Sequence, residues 1–84
     1  MEKYFYLGVK SRKNKEGKQY SLLFVALDCA NSYDIAQVLI SSEQAEGLMS
    51  MEDAGQISVG TDFTNCLKLV YNSYLKRYEL KLSL

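Results

Sequence analysis

Lys10, Arg12, Lys13, Lys15 and Lys18 place five cations within nine residues, with Glu16 the one anion among them. Tyr6 precedes this cluster, and Tyr20 and Leu22 follow it. Cations that hold phosphates beside rings that stack on bases are what single-stranded nucleic acid requires of a binding surface. Five like charges held this close repel one another, and a polyanion lying against them relieves the repulsion. The same lysines also have a plain structural use, because charge at a sheet margin blocks edge-to-edge pairing.

Other chemistries are poorly supplied. The chain has no histidine, so it offers neither an imidazole base nor the commonest metal ligand. Cys29 and Cys66 match no metal spacing and are expected as small buried hydrophobes in a reducing compartment rather than as a disulfide. Gly55 and Gly60 are isolated, and no glycine-rich phosphate loop exists. Glu43, Glu46, Glu52 and Asp53 supply oxygen ligands but lack the spacing of a calcium loop, and a solvated helix face is the simpler reading. No enzyme, cofactor or metal centre is expected.

The elements that must position the basic and aromatic residues read mostly as strands. Lys10–Phe24 forms the tip of a long cationic β-hairpin, with turn residues at 14–17 and Gly17 suited to positive φ. The first strand spans 1–13. Its alternation sends Phe5, Leu7 and Val9 to the core and Tyr4, Tyr6, Gly8, Lys10 and Arg12 to the other face. The second spans 19–28 and is apolar on both faces from Leu22 to Leu27, with Phe24 expected in the core. The third runs from Tyr33 to Ile40. Ser41 and Gln44 form a capping-box signal for a helix at about 42–50, in which Leu48, Met49 and Met51 cover one end of the core. A fourth strand is expected at 56–62 with Ile57 and Val59 inward, followed by a hairpin of strands 64–71 and 77–84. This order predicts one domain over residues 1–84, a five-stranded OB-like barrel with one short helix between strands three and four. An SH3-like barrel is the competing architecture, but that fold does not usually require the helix.

Net charge is zero, yet the charges are segregated. Residues 1–27 carry six cations and two anions, residues 28–62 seven anions and no cation, and residues 63–84 four cations and one anion. A fold that joins the two ends in one sheet acquires a basic face and an acidic back, and local potential rather than net charge attracts a polyanion. Arg77 is the C-terminal cation expected to join the hairpin. No apolar run approaches the length that spans a bilayer and no signal-peptide pattern opens the chain, so a cytoplasmic protein of a bacterial or host cell is expected.

Gly17-Lys18-Gln19-Tyr20-Ser21-Leu22 resembles the Gly-Lys-x-Tyr-Ser-Leu stretch of the single-stranded DNA-binding proteins of filamentous phages, and Asn31-Ser32-Tyr33 is similar to their Asn-x-Tyr loop. Similar hairpins occur in other small OB-fold binders of phages and mobile elements. The resemblance implies a DNA groove lined by Tyr20, Leu22, Lys15 and Tyr33, with Lys10 or Arg12 standing approximately for an earlier arginine. It implies a role in DNA replication. The interval between the two motifs is shorter here, the middle of the chain is more acidic, and beyond about residue 33 only the element order is shared.

The expected function is sequence-tolerant binding of single-stranded DNA. Phosphates would be held by Lys10, Arg12, Lys13, Lys15, Lys18 and Arg77, with bases on Tyr6, Tyr20, Leu22 and Tyr33. RNA is an open alternative, decided by contacts to the 2′-hydroxyl. A homodimer is expected through the last hairpin, with Tyr71, Tyr74 and Leu75 at its interface. The alternative function is a protein-interaction module or inhibitor subunit of a phage or plasmid assembly, working through the acidic stretch from Asp28 to Asp62.

Overall fold

The computed structural model describes residues 3–29 and 32–83, with the backbone alone at residues 29, 32 and 33. The chain runs β1 (Lys3–Lys13), β2 (Gln19–Cys29), β3 (Ser32–Ile40), α1 (Ser42–Asp53), β4 (Leu67–Asn72) and β5 (Arg77–Leu82), with a 3₁₀ turn at Thr64–Cys66. It is mostly β. One antiparallel sheet has the order β1-β2-β3, and β4-β5 form a second. Among the described residues no helix is long and apolar enough to cross a membrane. The radius of gyration is 13.4 Å, against about 12 Å for a compact chain of this length.

The five strands do not join in one hydrogen-bonded barrel. β3 and β5 approach each other without forming a ladder. The strand expected at 56–62 is instead an irregular segment that touches the free edge of β1. Tyr6 N donates to Thr61 O at 2.8 Å, Gly60 N to Tyr6 O at 2.8 Å and Phe63 N to Tyr4 O at 2.7 Å, around one isolated bridge between Phe5 and Asp62. A turn closed by Thr61 N on Ser58 O, with Gly60 at φ 97°, breaks the ladder and turns Val59 out to solvent, while Ile57 stays buried. Asp62 secures this segment. Its carboxylate accepts from Thr64 N at 2.9 Å and Thr64 Oγ1 at 2.6 Å, and these bonds hold its pKa below the usual carboxylate range. Thr64 Oγ1 in turn accepts from Tyr4 N.

The register of β1 settles which side chains form the core. Tyr6 pairs with Val25 but Gly8 pairs with Phe24, so Leu7 is an extra residue that shifts the alternation. The expected assignment of faces is reversed on the N-terminal side of this bulge. Tyr4 and Tyr6 turn inward, and beyond Leu7 the inward place falls to Val9, opposite Leu23. Tyr6 is therefore fully buried, with its ring 5.1 Å from that of Phe63, and cannot stack on a ligand as expected. Leu23, Val25, Val38, Ile40, Ile57, Phe63 and Leu82 complete the core with Ala45 and Leu48 of α1. Each large apolar side chain fully buried here contributes about 1.5–3 kcal/mol.

The helix begins where the capping box places it. Ser41 Oγ accepts from Gln44 N at 3.1 Å and Gln44 Oε1 accepts from Ser41 N at 3.0 Å. It continues to Asp53, three residues further than expected, with Ala45 and Leu48 against the sheet and Met49 largely out of it.

The bulge carries a direct test. Deleting Leu7 would remove the extra residue and leave Tyr6 and Val9 alternating onto the core face, opposite Val25 and Leu23 as they are now. The expected loss is within about 1 kcal/mol, read by urea denaturation. A loss of about 3–5 kcal/mol, comparable to removing a core aromatic, would refute the assignment. Tyr6 gives a second test. Its hydroxyl is buried with no hydrogen-bond partner among the described residues, and burial, then the charge of Glu52, raises its pKa. Tyr6→Phe is expected to raise stability by about 1 kcal/mol at neutral pH. Because the folded pKa lies above the ordinary value, the wild type loses stability as pH rises past about 10, and the advantage of the variant grows there. A destabilised Tyr6→Phe would mean that the hydroxyl has a partner.

Candidate nucleic-acid interface

The register that fills the core also determines what lies on the opposite face of the three-stranded sheet. Successive rows across β1, β2 and β3 there are Phe5-Ala26-Ile35, Gly8-Phe24-Gln37 and Lys10-Leu22-Leu39, then Arg12-Tyr20. Among the described residues no element packs over this face. Ile35 is 68% exposed and Leu39 58%. An apolar strip bordered by cations, left open on a small domain, is a candidate binding surface.

Two open clefts mark the relief of this surface, and a third lies behind it. The first, about 270 Å³, lies among Gly8, Lys10, Arg12, Phe24 and Ile35. Gly8 sits opposite Phe24, and a Cβ built there would meet nothing within 4 Å, so this part of the face is uncrowded. The second, about 480 Å³, lies where β5 approaches β3, between Leu22, Gln37 and Leu39 on one side and Arg77, Tyr78 and Lys81 on the other. The third, about 700 Å³, opens at the other face, between Ser11, Ser21 and Ile40 of the sheet and Ala45, Glu46 and Met49 of α1, with Tyr20 and Leu39 also in its lining. Phe24 in the first cleft pairs with Gln37 in the second, so these two adjoin and form one trough.

Its cations come from both ends of the chain. Lys10 and Arg12 stand on β1, and Arg77 and Lys81 on β5. Arg77 and Lys81 share Glu79, at 3.9 Å and 3.3 Å. The hydrogen bond from Lys81 is the main cause that holds the Glu79 carboxyl below its ordinary pKa. Among the described residues no carboxylate lies within ion-pair distance of Lys10, Arg12, Lys13, Lys15 or Lys18. The hairpin tip that carries the last three is firmly built. Asn14 Oδ1 accepts from Glu16 N and Lys18 N, both at 2.9 Å, Asn14 N donates to Lys18 O at 2.9 Å, and Gly17 takes φ 81°. The carboxylates Glu43, Glu46, Glu52 and Asp53 are carried on α1.

The expected site residues thus separate. Lys10, Arg12, Leu22 and Arg77 line the trough, and Tyr20 extends its face as the register partner of Arg12. Lys13, Lys15 and Lys18 are exposed at its hairpin end. Tyr6 belongs to the core. Tyr33 pairs through its backbone with Asp28, while its side chain, like Asn31, lies outside the described residues. Sequence reasoning missed Phe24, Ile35, Gln37, Leu39 and Lys81. A signal was present in β3, where both Ile35-Leu39 and Val38-Ile40 are apolar although the sheet buries only one of those faces. Comparison with known proteins adds nothing to this geometry: no family model, curated protein or solved structure matches the chain.

Proposed function

We propose that this chain binds single-stranded DNA with little regard to sequence. Lys10, Arg12, Lys13, Lys15, Lys18 and Arg77 hold phosphates, while Tyr20, Leu22 and Phe24 meet the bases, joined by Tyr33 as the family resemblance implies. The observation that carries the reading is the set of rows Arg12-Tyr20, Lys10-Leu22 and Gly8-Phe24, which alternates charge and apolar surface along one uncovered sheet face. Flat apolar side chains accept the face of any base, and cations a backbone spacing away accept any phosphate, so affinity needs no base code. Each stacked base contributes about 1–3 kcal/mol.

The architecture fits this use as an open variant of the OB-like barrel, with a long basic hairpin, a helix between the third and fourth strands and a gap between β3 and β5 at the trough. The chain works as a homodimer. The β4-β5 hairpin projects Tyr71, Leu75 and a Tyr74 that is 91% exposed, more apolar surface than a lone two-stranded ribbon keeps in water. Pairing two chains there doubles the number of troughs that one strand can engage.

The test is fluorescence anisotropy of labelled oligo-dT at two salt concentrations, beside a duplex of equal length. Oligo-dT is expected to bind at low salt, more tightly than the duplex, and to be released by NaCl. Replacing Lys10 and Arg12 together by Glu is expected to weaken binding at least about tenfold. The salt slope is expected to fall by about 0.7 for each phosphate that the variant no longer neutralises. No binding at low salt, or binding indifferent to salt, would refute the proposal. Light scattering of the same protein is expected to give twice the 9.6 kDa of the chain, and a monomer would remove the dimer from the account.

A further inference from the structure

The β4-β5 sheet has two unlike faces. Its register pairs Leu67 with Leu82, Leu69 with Leu80 and Tyr71 with Tyr78 on one face, and Lys68 with Lys81, Val70 with Glu79 and Asn72 with Arg77 on the other. Leu82 is buried, and Leu67 and Leu80 pack on the core, so the first set is the inner face. The second set is the outer face. It continues the trough, because Arg77, Glu79 and Lys81 line the second cleft opposite Leu22, Gln37 and Leu39 on the outer face of the first sheet. The trough thus crosses from β1 over β2 and β3 to β5, and β4 lies beyond β5 in the same direction.

On that outer face two like charges stand side by side. Lys68 and Lys81 are direct cross-strand partners. Side chains so placed have Cβ atoms about 4.5–5.5 Å apart, and like charges there destabilise a sheet. Glu79 offsets only part of this. Its carboxylate lies 3.3 Å from Lys81 and is shared with Arg77 at 3.9 Å. Among the described residues no carboxylate lies within ion-pair distance of Lys68, which is exposed. An anionic oxygen set between the two ammonium groups would accept a hydrogen bond from each and turn the repulsion into attraction. We infer that Lys68 and Lys81 together seat one backbone phosphate of a bound strand, which passes from the first sheet over β5 to β4. The inference rests on the single-stranded DNA reading above and adds Lys68 and Lys81 to its phosphate contacts. Tyr71 lies on the opposite face of the hairpin, so pairing of two chains through it leaves this seat open.

The experiment measures the anisotropy of labelled oligo-dT against salt, and urea denaturation, for the wild-type chain, Lys68→Gln and Lys68→Arg. Lys68→Gln removes one of the two facing charges, so it is expected to be no less stable than the wild type. It is nevertheless expected to bind oligo-dT on the order of fivefold more weakly at low salt, with a salt slope lower by about 0.7. Lys68→Arg keeps the charge and is expected to bind within about twofold of the wild type. A solvated lysine without a ligand would leave affinity and slope unchanged in both variants, and that result overturns the seat. So does a lower urea midpoint in Lys68→Gln, because the repulsion is then absent, or a Lys68→Arg chain that binds as weakly as Lys68→Gln. In each of these cases the wild type still binds oligo-dT and releases it in salt, so the function proposed above stands. Failure of the wild type to show salt-dependent binding removes the seat together with that function.

Discussion

A β-strand has two faces, and one extra residue exchanges them. In β1 that residue is Leu7. Were Leu7 an ordinary paired residue of the strand, a strand that buries Tyr4 and Tyr6 would turn Val9 outward and bring Gly8, Lys10 and Arg12 inward. With Leu7 as the extra residue, the aromatic start of the strand packs onto Phe63 and the 60–63 segment, while its basic end presents Lys10 and Arg12 to water in line with Tyr20 and Leu22. The core and the candidate interface are thus fixed by one local irregularity. A charged face and an apolar face coexist on β1 because the strand changes parity partway along.

The second constraint is the number of layers. The helix and the 57–63 segment cover the inner face of the three-stranded sheet, with Ala45, Leu48, Ile57 and Phe63 in the core. Among the described residues no element covers the outer face, so Ile35, Leu39 and part of Leu22 and Phe24 are accessible. Exposed apolar surface weakens the hydrophobic drive to fold and invites association. A surface that instead places Lys10, Arg12, Arg77 and Lys81 around such a strip combines desolvation of flat groups with attraction of phosphates. Glu43, Glu46, Glu52 and Asp53 ride on α1, on the covered side of the sheet, while Glu79 lies in the trough between Arg77 and Lys81.

Local signals in the sequence were sufficient where a few neighbouring residues decide the structure. The Ser41-Gln44 capping box, the Asn14–Gly17 turn and the extents of β2 and β3 are of this kind. The helix outran its expected end because Gly47 costs only about 1 kcal/mol against Ala, less than Leu48 recovers by burial. What depends on contacts distant in sequence was not legible. The alternation of Phe5, Leu7 and Val9 looks like a buried face until a bulge, which has no composition of its own, reverses it. Ile57 and Val59 have strand spacing, but the turn at Ser58–Thr61 leaves only three backbone bonds to β1. Closure of the barrel likewise rests on whether β3 and β5 meet edge to edge, which neither strand encodes alone. The cationic and aromatic members of the trough were visible as residues, whereas Phe24, Gln37 and Leu39 became members only through their register with them.

The most direct measurement is a backbone-amide NMR titration of the isotopically labelled protein with a short oligo-dT. The account predicts that the largest shifts fall on Lys10, Arg12, Tyr20, Leu22, Phe24, Gln37 and Leu39, with the amides of Tyr6, Val25 and Val38 little changed. Shifts gathered instead on the carboxylate-bearing side of α1, or spread evenly through the core, would contradict it.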